Sequence, residues 1–163
     1  MMTGVGIMLL TFVAMEGVAW AMHKYVLHGF LWFLHKSHHT RHNHAFELND
    51  LFFAYYGTLA MLFFVFGSES LDYRFWVGAG ITFYGILYFL IHDVFIHRRI
   101  KLFGKTSNVY LKALNMGHKV HHKTHGRCGS QSFGMLWVHK KYFIAANNIV
   151  KKQQKEESGA IHH

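Results

Sequence analysis

Three stretches of the chain, Gly4 to Met22, Leu51 to Phe66 and Phe75 to Ile91, are apolar over nearly the length that crosses a bilayer, about 20 helical residues at a rise of roughly 1.5 Å each. The second and third fall slightly short, a mismatch that tilt or local thinning of the bilayer absorbs. In a chain of only 163 residues, 52% of them hydrophobic and none of them proline, a water-soluble domain would struggle to hide so much apolar surface. A cleaved secretory signal is not expected at the first stretch, because no Lys or Arg precedes Lys24 and the basic leading region is missing. The length also argues against two domains. The single cysteine, Cys128, excludes an intrachain disulfide framework and any cysteine-rich zinc or iron–sulfur site.

The second and third stretches are separated only by Gly67 to Arg74, which predicts an antiparallel helical hairpin. Of the 17 Lys and Arg, only Arg74 lies in that turn; the others follow the first span or the third. By the positive-inside rule, Lys24 to Asp50 and everything from His92 onward face the cytoplasm, while the N-terminus and the 67–74 turn face outward. The net charge of +9 then meets anionic lipid head groups rather than nucleic acid. A fourth hydrophobic segment, Ser132 to Val150, carries His139, Lys140 and Lys141 in its middle, so a full crossing is costly and an interfacial or re-entrant course is expected. Val109, Ala113, Met116 and Val120 recur at three- and four-residue steps, predicting an amphipathic helix within Thr106 to Val120 against the membrane surface. The expected fold is therefore all-α, an integral membrane bundle of three to four transmembrane helices with a cytoplasmic histidine-rich cap. Residues 1–150 form one domain, and the polar residues 151–163 a disordered tail, with His162 and His163 resembling the remnant of a purification tag.

Histidine accounts for 16 positions. Apart from the terminal pair, every one lies in the two regions assigned to the cytoplasm or, for His23, immediately before the first of them. They group as His23 and His28, then His35, His38 and His39, then His92 and His97, and finally His118, His121 and His122. Spacing of i, i+3, i+4 in the second and fourth groups places three imidazoles on one helix face. The i, i+5 spacing of the first and third turns about 140° on a regular α-helix, so the two rings of such a pair would bridge two ions or sit across a helix end. Ten nitrogen donors exceed what one ion accepts while keeping an open position, which calls for two metals. Imidazole suits iron, zinc, copper and nickel alike, and spacing does not choose among them. Two divalent ions among neutral rings need anionic compensation. Asp50, Glu47 and Asp93 are the carboxylates at hand, with Asp93 placed to accept an imidazole N–H from His92 and Asp50 a second supporting carboxylate. His42, His44 and His125 are expected behind the ligands or on the surface, and His139 is expected to be interfacial or a helix cap.

With these motifs in order, the sequence resembles the bacterial beta-carotene hydroxylases, within the fatty acid hydroxylase superfamily of membrane di-iron enzymes. The resemblance runs through His23-Lys24-Tyr25, Gly29 to His39, Phe46 to Leu51, His92-Asp93 to His97-Arg98-Arg99, His118 to His122 and Gly129 to Gly134; the Gly29 to Ser37 string is its most specific part. It implies a di-iron monooxygenase that hydroxylates beta-carotene at C3 and C3' through beta-cryptoxanthin to zeaxanthin. The cosubstrate would be dioxygen and the site would lie on the cytoplasmic side of the inner membrane. The ten histidines of the four groups would hold two iron ions, with zinc a possible substitute in purified protein and no catalytic residue beyond the ligands. The carotenoid would arrive from the bilayer past Phe30, Trp32, Phe33, Tyr84 and Tyr88. No GxGxxG fingerprint and no cysteine set is present, so electrons would come from an external carrier such as ferredoxin. The alternatives are a fatty acid or sterol hydroxylase or desaturase of the same superfamily, and outside enzymes a histidine-rich haem protein or metal transporter. A haem leaves most of these histidines unused, and Glu16 is the one ionised candidate inside the spans that a transporter would need.

Overall fold

The computed structural model describes residues 2–40, 46–102, 104 and 106–160, and the described residues are helical or irregular, with no strand. Expectations for His42, His44, His162 and His163 fall outside them. The helices are α1 (Met2–Ala21), α2 (Trp32–His35), α3 (Asp50–Gly67), α4 (Tyr73–Phe89), α5 (Val109–His122) and α6 (Lys140–Ala160). Three continuous helical stretches, Thr3–Phe30, Asp50–Gly67 and Tyr73–Ile96, are long and apolar enough to cross a membrane. Leu10, Val13, Val65 and Phe83 point outward from them, a pattern that water would penalise and lipid accepts.

Helix α4 packs between α1 and α3, which hardly touch each other. Two small residues make this close packing possible. A Cβ at Gly80 would lie 2.6 Å from the Met8 carbonyl of α1, and one at Gly78 would lie 3.0 Å from the Ala60 carbonyl of α3. Bare glycine lets the backbones approach on both flanks, as small residues do between membrane helices. The 67–74 turn closes the α3–α4 hairpin, with the Asp72 side chain accepting the Arg74 N–H at the start of α4. Both spans therefore begin or end beside the histidines at the opposite end of the bundle.

Beyond the spans, α5 and α6 pack together around Ala113, Leu114, Met135, Val138, Tyr142 and Ala146. Helix α5 starts at Val109, where Asn108 caps it by accepting the Leu111 N–H at 3.0 Å. Ser132 to Val150 is not one element. Residues 131–139 run as an irregular strap across the bundle, and α6 begins only at Lys140, where His139 Nδ1 accepts the Lys141 N–H, the capping role expected of it. The residues from Lys151, expected to be a disordered tail, instead continue α6 as helix to Ala160. Their Lys, Gln and Glu are strong helix formers, Lys152 and Glu156 lie one turn apart at 3.8 Å, and Lys112 of α5 donates to Gln153 Oε1 at 2.6 Å.

Glu16, the carboxylate inside the first span, holds the strap. Its Oε1 accepts the Met135, Leu136 and Trp137 N–H groups at 2.9, 3.0 and 2.9 Å, and its Oε2 accepts the Tyr84 hydroxyl at 2.8 Å. A carboxylate that would be costly in lipid is thus satisfied by backbone amides that α-helix geometry does not serve. Replacing Glu16 by Ala orphans these donors, each costing on the order of 1–3 kcal/mol when buried. The expected result is a clearly lower melting temperature in detergent than the parent protein, measured by circular dichroism.

Candidate metal centre

Where α1 ends, the backbone widens: Met22–Phe30 coil as a π-type turn that is kinked at the non-helical Gly29 (φ −102°, ψ −125°), and Leu90–Ile96 form a π-type turn where α4 ends. The His97 N–H donates to the His92 carbonyl at 2.9 Å, and the Leu31 N–H to Val26 at 3.0 Å, both five residues back. Hydrogen bonding to the fifth residue back widens the turn and brings residues five apart nearer to one face than an α-helix does. The spacing that separates two rings on an α-helix therefore brings His23 toward His28, with ring centroids 5.3 Å apart, and His92 toward His97, at 4.5 Å. Of the two expectations for such pairs, bridging two ions is corrected, since each pair falls in a single group, while His92 and His97 do sit across a helix end, His97 being the C-cap of the Leu90–Ile96 turn. Short helical turns over Trp32–His35 and Lys36–His39 and the end of α5 deliver the remaining rings.

All ten histidines converge. His23, His28, His35, His39 and His121 form one group of donors, and His38, His92, His97 and His118 a second, each with its ligating atoms within 4.8 Å of one another. His122 stands between them, its ring 4.5 Å from those of His39 and His118, and its Nε2 is buried with no hydrogen-bond partner. His125 stays outside, donating from Nδ1 to the His39 carbonyl.

Seven of the rings are clamped from behind through Nδ1. His23, His28, His39 and His121 donate to the carbonyls of Phe133, Arg127, Thr124 and Gln131 at 3.0, 2.9, 2.9 and 3.0 Å. His35 donates to Asn49 Oδ1 at 2.7 Å, His38 to Glu47 Oε2 at 2.9 Å and His92 to Asp93 Oδ2 at 3.1 Å. With the proton on Nδ1, each Nε2 presents a lone pair inward. Those lone pairs face each other: His23 and His35 at 3.1 Å, His28 and His121 at 3.2 Å, His39 and His121 at 3.1 Å, and His38 and His92 at 3.1 Å. No proton is left to bridge them, so the arrangement repels itself unless a cation sits among the rings. Two nitrogens about 2.1 Å from one ion at right angles lie about 3.0 Å apart. The donor set thus has the chemistry and the spacing of a metal site, twice over, and leaves no gap for a haem ring between opposed histidines.

Burial, reinforced by the neighbouring imidazoles, lowers the basicity of these rings. It brings His35, His97 and His121 down to about 3 and His39 to about 4 from the ordinary 6.5, and holds His38, His118 and His122 well below it. Neutral rings at physiological pH are what a metal requires.

Behind the second group, Arg99 ties three carboxylates together. It contacts Glu47 Oε1 and Asp50 Oδ1 at 2.9 Å each, and Asp93 Oδ1 at 3.2 Å. Asp93 accepts the His92 Nδ1–H. Asp50 accepts the Glu47 N–H at 2.9 Å and pairs with Arg99, with no hydrogen bond to a histidine among the described residues. Sequence reasoning missed that Glu47 is the carboxylate on His38, that Asn49 holds His35, and that the strap carbonyls orient His23 and His121. Only the density of polar residues in the 46–50 segment hinted at the first two.

An apolar cavity of about 340 Å³ opens between α1 and α3, over α4, and ends on His23, His92 and His118. Tyr84 and Tyr88 line it, together with Phe52, Tyr56 and Gly85. Of the other aromatics expected at a substrate site, Phe30 and Phe33 are exposed at 74% and 63%, and Trp32 packs behind the first group, 5.1 Å from the His28 ring and 5.3 Å from that of His39. None of the three lines the cavity, because the π-type turn directs His23 and Leu27 toward it and leaves Phe30 on the outer surface.

The fold and site define a helical protein with membrane-spanning segments whose buried histidines can hold a pair of metal ions. The comparisons give it a family. The chain is 40% identical over 134 residues to the beta-carotene hydroxylase of Pseudescherichia vulneris, covering 82% of this chain and 76% of that one. It is 36% identical over 138 residues to the beta-carotene hydroxylase of Paracoccus sp. strain PC1, covering 84% and 85%. It is 38% identical over 128 residues to the chloroplastic beta-carotene 3-hydroxylase of Haematococcus lacustris, covering 75% of this chain and 39% of that longer one. The chain belongs to the beta-carotene hydroxylase family, a family of oxidoreductases. No family model matches it, and no solved structure does.

In the metal-free protein the lowered histidine pKa values set a pH dependence. Between 6.5 and about 3–4 the unfolded chain binds more protons than the folded one, so stability rises with pH across that window and levels off above it. Melting temperatures of metal-free protein are expected to be flat above pH of about 7 and to fall steadily below about 6.5.

Proposed function

We propose that the chain is a membrane-bound beta-carotene 3-hydroxylase that uses a pair of iron ions, dioxygen and external electrons. Overall, a ring C–H, one dioxygen, two electrons and two protons would give one C–OH and one water, and two such events would convert beta-carotene through beta-cryptoxanthin to zeaxanthin. The single observation that carries this reading is the joining of two features: the doubled set of unprotonated imidazole donors, and an apolar cavity that ends on members of both donor groups. An iron pair would supply the activation of dioxygen, which protein side chains alone do not perform.

The five-histidine group would hold one ion, and His38, His92, His97 and His118, with His122 as a further donor, the other. The Nδ1 clamps keep seven of the ten rings aimed inward without waiting for metal, which is the preorganisation a reactive centre needs. The cavity volume lies in the range of small-molecule sites. Its sides on α1 and α3 face the apolar surface of the bundle, so a hydrocarbon dissolved in lipid could slide in end-on, ring first, with Tyr84 and Tyr88 along its path and no need to cross water. By the distribution of Lys and Arg the centre would lie on the cytoplasmic side, in bacteria of the inner membrane. An electron carrier such as ferredoxin would reach it there, while the basic residues around it meet anionic lipid.

The test is production of the chain in a host that accumulates beta-carotene. Hydroxylated pigment is expected, with about two irons per purified chain; His38→Ala should abolish hydroxylation while leaving the amount of membrane-inserted protein unchanged. Conversion of fatty acids or sterols but not beta-carotene would overturn the reading. Gly85 probes the cavity, because a Cβ there meets nothing within 4 Å. Gly85→Ala should be tolerated and Gly85→Phe should cut hydroxylation at least about tenfold by filling the cavity, with metal content unchanged.

A further inference from the structure

The two donor groups are backed by different chemistry. Behind the five-histidine group every identified Nδ1 acceptor is neutral, four backbone carbonyls and the Asn49 amide. Behind the four-histidine group two acceptors are carboxylates, Glu47 on His38 and Asp93 on His92, and their side chains are only 10% and 11% exposed. Asp50 adds a third carboxylate, and Arg99 is the cation that binds all three. Among the described residues, carboxylates therefore stand directly behind two rings of one metal position, while the identified acceptors behind the other are uncharged.

We infer that the two metal positions are unequal, and that the carboxylate-backed position, built on His38, His92, His97 and His118, binds its ion more tightly and fills first. This rests on the reading that the centre holds two ions. A carboxylate accepting the Nδ1 proton makes the opposite nitrogen a stronger donor, and buried negative charge attracts a divalent ion with little screening. Donor number does not reverse the order, since His122 adds a fifth ring beside the smaller group, 4.7 Å from His38 and 4.9 Å from His97. Arg99 is a positioning residue in this scheme. It touches no histidine donor but fixes the outer oxygens of Glu47 and Asp93, so that their inner oxygens stay on the imidazoles.

The experiment is chelator-driven release of zinc from the purified full chain loaded with two equivalents, followed with a metal indicator at neutral pH. Two phases of equal amplitude are expected. Glu47→Gln and Asp93→Asn should each speed the slow phase by about 10–100-fold and leave the fast phase in place, while Asn49→Ala should speed only the fast phase. Asp50 bonds to no histidine among the described residues, so Asp50→Asn removes charge without removing an acceptor from a ring: a smaller acceleration of the same slow phase is expected, and it decides the matter if the Glu47 or Asp93 variants fail to fold. A single release phase in the parent chain, or carboxylate variants that act on the fast phase or on neither, would overturn the inference. Binding of fewer than two ions by the parent chain would instead remove the two-ion reading beneath it.

Discussion

Lone pairs that face one another without a proton between them are the constraint on which this structure turns. Seven imidazoles spend their one N–H on an acceptor behind them, so the nitrogens in front have nothing to offer each other except repulsion. The protein holds them at about 3 Å regardless, and the helices must be stiff enough to do so. Rings mounted on the widened ends of two membrane-spanning helices and on the last turns of α5 have that stiffness, whereas rings on long loops would splay apart. A cation turns the same repulsion into coordination, so the arrangement is fully satisfied only when loaded.

The rest of the molecule can be read as support for this cluster. The strap over residues 131–139 has no regular structure of its own, yet its Phe133 and Gln131 carbonyls orient one ring from the π-type turn after α1 and one from α5. Glu16 anchors that strap from inside a membrane-spanning helix, which couples the apolar bundle to the metal centre through one carboxylate. Tyr84, the fourth donor to Glu16, also lines the cavity. A substrate lying in the cavity would thus sit against the clasp that positions the histidines.

Charge follows the same economy. Acidic residues number only eight in the whole chain, and three of them gather with Arg99 behind one half of the cluster. The other half relies on backbone dipoles, which orient a ring without adding charge. A pair of ions in such surroundings would experience two different fields although each would be ringed by the same side chain.

Much of this was legible in the residues alone. The length of the apolar runs gave three helices able to span a membrane, and the number and doubling of the histidine motifs pointed to two groups able to hold a metal, because each of these follows from local counting and a known helical repeat. The helical continuation past Lys151 was misread because polar composition does not reveal the contacts that α6 makes with α5. The i, i+5 pairs were misread for a deeper reason: period is a property of the backbone, and nothing in His23-Lys24-Tyr25-Val26-Leu27-His28 declares that it will widen to a π-type turn. Which acceptor stands behind each ring, which aromatics line the cavity, and which half of the cluster carries the negative charge were decided only when segments up to about a hundred residues apart came together. Those choices depend on contacts across the chain, and a linear order of residues does not contain them.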